Sequence, residues 1–188
     1  MQKKLSEMSL EEWWQLFPIF LTEHQKCWNQ WYEEECTLLH TILPTEAIKR
    51  ISHIGSTAIN AIWAKPIIDI LIEMNLDFDM HTIKEILVQN GYLCMSEEKG
   101  RISLNKGYME SGFAEKVYHL HVRYTGDNDE LYFRDYVNEH PEIAKEYETL
   151  KLRLWKKYEH NRDGYTESKT HFVKKYTQLA KEQFGMKY

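Results

Sequence analysis

Residues 66–74 read PIIDILIEM, and the fold class turns on how this run is read. Isoleucine is β-branched and packs well on a pleated surface, so the run predicts a strand. Alternation puts Ile68, Ile70, Ile72 and Met74 on one face and Asp69, Leu71 and Glu73 on the other. A carboxylate in the middle of such a strand costs free energy unless it meets a partner, a metal or the opening of a site. Asp69 therefore marks both a strand and a candidate centre.

Working outward, Ile48 to Ile54 reads as a shorter strand that stops at Gly55. On the other side, Asp79 to Gln89 reads as a helix with Ile83, Ile86 and Leu87 inward, closed by Asn90-Gly91. Tyr92 to Met95, Arg101 to Lys106 and Lys116 to Tyr124 follow as strands. The last places Val117, His119, His121 and Arg123 on one side and Tyr118, Leu120, Val122 and Tyr124 on the other.

Both ends of the chain read as helix. Ser9-Leu10-Glu11-Glu12 has the form of a capping box. Trp28, Trp31, Tyr32, Leu38, Leu39 and Ile42 then recur at helical spacing until Leu43-Pro44. Beyond the strands, Asn128 and Asp129 cap a helix to Glu139. Pro141 opens another with Ile143, Tyr147, Leu150 and Leu154 inward. Asp163-Gly164 reads as a break before a last helix, Thr166 to Phe184, with Gly185 after it. The expected class is α+β (mixed α/β), a small mixed sheet flanked by N- and C-terminal helices. It forms one domain over residues 1–188, with residues 1–43 a helical extension packed on it.

A chain of 188 residues can bury about 70% of its extended surface, enough for one core without staples. The net charge of −5 argues against non-specific binding to nucleic acid or anionic membrane, although a local basic cleft remains compatible with it. Hydrophobic residues at 43% and aromatics at 13% argue against disorder. Cys27, Cys36 and Cys94 form no CxxC pair, and no apolar run approaches the roughly 20 residues of a membrane span. The opening MQKKLSEMSLEEWW lacks the apolar stretch of a secretory signal. A cytoplasmic protein with reduced thiols is expected.

Several residues carry chemistry. In His53-Ile54-Gly55-Ser56-Thr57 a strand runs into Gly-Ser and a helical turn. Glycine permits close approach of a ligand, and free N–H groups at a helix start suit phosphate. The plainer reading is a strand-to-helix turn capped by Ser56 or Thr57. Asp69 suits a Mg²⁺ ligand in nucleotidyl transfer; the plainer reading pairs it with Lys65, Lys106 or Lys169. His119 and His121 on one strand face suit metal, phosphate or proton transfer, or are a solvated face. Lys169 sits in the first turn of a helix, against the dipole, as though aimed at an acidic or phosphate-bearing site. Phe133-Arg134-Asp135-Tyr136 reads as ordinary helix surface.

Taken in order, HIGSTA (His53 to Ala58), AKPIIDILIE (Ala64 to Glu73), HLHV (His119 to Val122), FRDY (Phe133 to Tyr136) with HPE (His140 to Glu142), and YTESK (Tyr165 to Lys169) resemble the GrpB family from about Trp28 onward. The resemblance implies a nucleotidyltransferase-like fold and transferase activity. A nucleotidyl group would pass from a nucleoside triphosphate to an unknown acceptor. By the same resemblance, Gly55, Ser56, Lys65 and Lys169 would hold the nucleotide phosphates. Asp69 would hold Mg²⁺ or Mn²⁺ as cofactor, and His119 and His121 would join Asp69 in catalysis. The pattern departs from the superfamily where its second metal-binding acid is expected: Leu71 stands there, and Glu73 is about 14 Å from Asp69 along the strand. No third carboxylate is evident on the His119 strand. The alternative is therefore a catalytically degenerate nucleotide- or partner-binding module. Metal-independent phosphate chemistry on the two histidines is a third reading.

Overall fold

Ser9 opens helix α1 (Leu10–Leu16) with the capping box that its sequence predicts: its side chain accepts from the Glu12 N–H, and Glu12 reaches back to the Ser9 N–H. The computed structural model describes residues 3–188. Pro18 then prevents further helix, so the N-terminal region is not continuously helical as expected. Residues 17–26 form no helix, and Thr22 makes an isolated antiparallel bridge to Ala64. Helix α2 (Cys27–Ile42) ends at Leu43, before Pro44, as expected.

Strands β1 (Ile48–Ile54), β2 (Ile68–Met74), β3 (Leu93–Glu98), β4 (Arg101–Met109) and β5 (Gly112–Tyr124) form one mixed sheet of order β1-β2-β5-β4-β3. Only the β2–β5 pair is parallel. Helix α3 (Met80–Gln89) lies between β2 and β3, capped by Asp79. After β5 come α4 (Asp129–Glu139), α5 (Pro141–Tyr158) and α6 (Arg162–Phe184). The architecture is the small mixed sheet flanked by helices read from the sequence.

Alternation along β2 divides the protein into layers. Ile68, Ile70, Ile72 and Met74 enter the main core with Trp28 and Leu39 of α2 and Met80, Ile83 and Leu87 of α3. On the opposite face Leu71 packs against Ile54 and Leu131 of α4. The C-terminal helices cover this second face around Phe133, Val137, Tyr147 and Tyr176. Burying the main-core isoleucines stabilises the sheet by about 2 kcal/mol each. Among the described residues no helix is long and apolar enough to cross a membrane.

Strands β3, β4 and β5 run three to four residues past the bounds read from the sequence, and the start of the last helix differs in kind. Gly164 does not break the chain before the last helix. Asn161 accepts from the Gly164 N–H as a cap, so α6 begins at Arg162 and Gly164 sits in its first turn. The physical reason is local: the Asn161 cap supplies a helix start that outweighs the flexibility of one glycine. The extra turn carries Arg162 into the site described next.

Candidate functional site

Parallel pairing sets the site. Asp69 on β2 lies opposite His119 on β5, and on its other side opposite Ile54 of β1. The chain after Ile54 therefore passes directly over the Asp69 side chain. Gly55 has φ +71° there, and a Cβ on it would stand 2.3 Å from Asp69 Oδ2. Only glycine fits that conformation and that approach.

The Gly-Ser turn does not open a long helix. Ser56–Ala58 is one 3₁₀ turn, held by weak backbone bonds of 3.3 Å. The expected row of free N–H groups at a helix start is therefore not built here. Helix α4 fixes the turn instead. Arg134 Nη1 donates to the His53 carbonyl at 2.8 Å, Asn138 donates to the Ala58 carbonyl at 3.0 Å and accepts from the Asn60 N–H at 2.9 Å. His53 is buried, stacked on Tyr32 and bonded to Thr57, so it braces the turn from behind.

Asp69 faces a cleft of about 950 Å³ between the sheet and helices α4 to α6. The side chain retains 27% of its exposure, through that opening. His119 Nδ1 lies 3.2 Å and His121 Nε2 3.6 Å from Asp69 Oδ1. Burial opposes the charge of Asp69, but hydrogen bonds from the two imidazoles outweigh it and hold the carboxyl well below the usual range. On the far side of His119, the Tyr108 hydroxyl lies 2.8 Å and Arg162 Nη2 3.2 Å from Nε2. Arg162 Nη1 also donates to the Tyr108 hydroxyl at 3.1 Å. Arg162 Nη2 also lies 3.5 Å from Nδ1, so its contact is shared between the two ring nitrogens. The ionised Asp69 carboxylate only accepts, so the ring proton sits on Nδ1 and Nε2 accepts from the Tyr108 hydroxyl. Burial pushes the imidazole down to about 4 despite Asp69, so His119 is neutral at neutral pH. Both ring nitrogens are thus engaged within the protein. His121 sits beside Asp69 but does not line the cleft.

Cations crowd the inner end of the cleft. Lys65, Lys151, Lys169 and Arg162 line it with Asp69 and Ser56. Lys65 Nζ is 5.4 Å and Lys169 Nζ 4.1 Å from the Tyr165 ring centroid. Lys151 is buried, with its ammonium over Tyr147 at 4.8 Å and donating to the Trp63 carbonyl. Burial pushes Lys65 well below its ordinary value, Lys151 down to about 7 and Lys169 to about 8. Neighbouring cations add to it at Lys65 and Lys151, whereas at Lys169 the attraction of Asp69 exceeds the repulsion of Arg162. Among the described residues, Lys65, Lys169 and Arg162 have no ion-pair partner for which Asp69 or any other carboxylate comes close enough. The outer end is different in kind. There Arg101 and Arg123 pair with Asp127, Arg123 also with Glu130, and Lys181 with Asp129.

The predicted residues Gly55, Ser56, Lys65, Asp69, His119 and Lys169 thus meet at one cleft. Lys106, offered as a structural partner of Asp69, is on the other face of the sheet and pairs with buried Glu35. Glu73 is fully buried and bound by Arg50 at 2.6 Å and Asn128 at 2.9 Å, so it takes no part. Sequence reading missed Lys151, Arg162, Tyr108, Arg134 and Asn138. Lys151 had a signal, since it lies four residues after Tyr147 on the inward face of α5. Arg162 had none.

The donor set fits Mg²⁺ poorly. The position of a second acid holds Leu71, sealed in an apolar cluster. Asp69 Oδ1 already receives two imidazoles, and cations rather than carboxylates surround it. Among the described residues no three His, Cys, Asp or Glu side chains are grouped to hold a metal.

Fold and site together define a mixed α+β protein with a cation-lined cleft built over a carboxylate–imidazole pair. Sequence comparison supplies the family. The chain matches the GrpB protein family over residues 18–179, and it belongs to that family. It is 37% identical over 164 residues to the glutamate-rich protein GrpB of Alkalihalophilus pseudofirmus, covering 82% of this chain and 91% of that protein. It is 34% identical over 158 residues to the UPF0157 protein YqkA of Bacillus subtilis, of which the match spans only 45%. The crystal structure of the conserved protein GrpB from Enterococcus faecalis aligns with a TM-score of 0.75 at 30% identity, covering 88% of this chain and 99% of that one.

Proposed function

We propose that this chain binds a phosphorylated small molecule of nucleotide type in the cleft, without a catalytic metal. One observation carries the reading: at the inner end Lys65, Lys151, Lys169 and Arg162 face a single carboxylate. Desolvated cations in such excess are costly unless an anion occupies the space between them. Phosphate oxygens would meet these four groups and the Ser56 hydroxyl. Phe133, Tyr147 and Val173 line the same cleft and offer apolar surface to a nucleoside, toward an outer end rich in paired charges.

Asp69 and His119 act in this reading as scaffold. Asp69 orients His119, and His119 in turn holds Tyr108 and Arg162 in place. The nucleotidyl transfer implied by the family resemblance needs bridging carboxylates about the metal. Leu71 and buried Glu73 do not supply them, so the binding-module alternative is favoured. Isothermal titration of the full chain with ADP and ATP, in EDTA and again with Mg²⁺, tests this. Binding in EDTA, weakened in Lys169→Met, supports the proposal. Binding that appears only with Mg²⁺, or no binding of either nucleotide, overturns it.

A further inference from the structure

We infer that the inner end of the cleft is a seat for a diphosphate group, two linked phosphates held together, rather than for a single phosphate. The inference rests on the anion-cleft reading above and narrows it to one ligand class.

The first argument is charge. Lys65, Lys151, Lys169 and Arg162 against Asp69 leave a surplus of three positive charges when every amine is protonated. Glu148 is taken up by Lys145, and Lys174 also lines the cleft and adds to the positive side. A single phosphate group carries at most about two negative charges at neutral pH, and joining a second raises this to roughly three. The linked pair comes nearer to neutralising the pocket.

The second argument is placement. Three separate structures fix the four cations. Arg162 is held by Tyr108 and His119, Lys151 by the Trp63 carbonyl and the Tyr147 ring, and Lys65 and Lys169 by the Tyr165 ring. These anchors come from β4, β5, α5, α6 and the segment before β2. The cations are therefore distributed around the cavity instead of converging on one point, which suits an elongated anion. Three charged groups face the lysines: Asp69 and Arg162 face Lys65 and Lys169, and Glu148 faces Lys151, while the three lysines face one another.

A consequence separates this site from a generic basic patch. Burial, with a smaller share from neighbouring cations, costs Lys151 and Lys169 part of their protonation near neutral pH when the cleft holds no anion. An anion between them restores it. Diphosphate binding is accordingly accompanied by proton uptake.

The test is calorimetric titration of the full chain at neutral pH in EDTA with inorganic phosphate, pyrophosphate and tripolyphosphate, each in two buffers of different ionisation heat. The expected result is pyrophosphate binding about tenfold or more tighter than phosphate, tripolyphosphate no tighter than pyrophosphate, and heats that report proton uptake. Lys65→Met, which removes an unpaired charge and leaves the sheet intact, narrows the gap between pyrophosphate and phosphate. Equal binding of phosphate and pyrophosphate, or affinity that climbs on through tripolyphosphate, overturns the diphosphate assignment and leaves the anion cleft standing. No binding of any of the three overturns both.

Discussion

Gly55→Ala is the substitution whose effect the structure defines most closely. Two separate costs add. The backbone at φ +71°, ψ −170° is a region open essentially to glycine, and an alanine forced into it costs about 1–3 kcal/mol. The new Cβ would also stand 2.3 Å from Asp69 Oδ2 and 2.9 Å from Asp69 Cβ and Cγ, an overpacking cost of about 1–3 kcal/mol more. A total near 4 kcal/mol lowers Tm by roughly 8–16 °C in a protein of this size. Urea unfolding of wild type, Gly55→Ala, Asp69→Ala and the double variant separates the two costs. Asp69→Ala removes Oδ2 and Cγ, so the clash shrinks while the backbone strain persists. The double variant is then more stable than the sum of the single effects predicts, by about 1–2 kcal/mol. Additive single effects, or a Gly55→Ala protein as stable as wild type, refute the account of how β1 delivers its turn onto Asp69.

Further outcomes follow from the cleft. A lysine whose folded value is depressed destabilises the fold fully below that value and ceases to do so above its ordinary 10.5. With Lys151 at about 7 and Lys169 at about 8, stability of the anion-free protein gains from these groups as pH rises from about 7 toward 10. Lys169→Met flattens that rise in chemical denaturation; an unchanged slope contradicts the burial of its charge. Asn138→Ala frees the Ala58 carbonyl and the Asn60 N–H, costs about 1–3 kcal/mol and loosens the turn that carries Ser56. Its anion affinity falls with it, whereas a loss of stability with unchanged affinity shows that α4 does not position the turn.

Much of the fold was legible because the hydrophobic pattern is strong where it matters. PIIDILIEM gave β2 and both its faces, and the two faces are indeed covered by different helices. Pro44 and Pro141 marked helix boundaries where they were read. The site was half legible. Asp69, Lys65, His119 and Lys169 stood out as polar residues in unusual places, and the structure brings them to one cleft. Lys151 and Arg162 were hidden because a lysine or arginine on a helix is ordinary by composition. Only the tertiary packing of α5 and α6 against the Asp69 face turns these two inward. Arg134 and Asn138 were hidden for the same reason: their partners are backbone atoms about eighty residues away. The non-helical segment 17–26 shows the opposite failure, an aromatic-rich stretch read as helix although Pro18 interrupts it.

Whether the cleft is an anion seat or a metal centre is decided by one substitution at Asp69, the inner carboxylate among the described residues. Asp69→Asn keeps the shape of the side chain and removes the negative charge among the cations. Pyrophosphate affinity is measured for wild type and Asp69→Asn by titration in EDTA. The cleft described here predicts that the variant binds at least as tightly as wild type, because one opposing charge has gone. No binding by either protein in EDTA, with a divalent cation restoring it to wild type but not to Asp69→Asn, would contradict it.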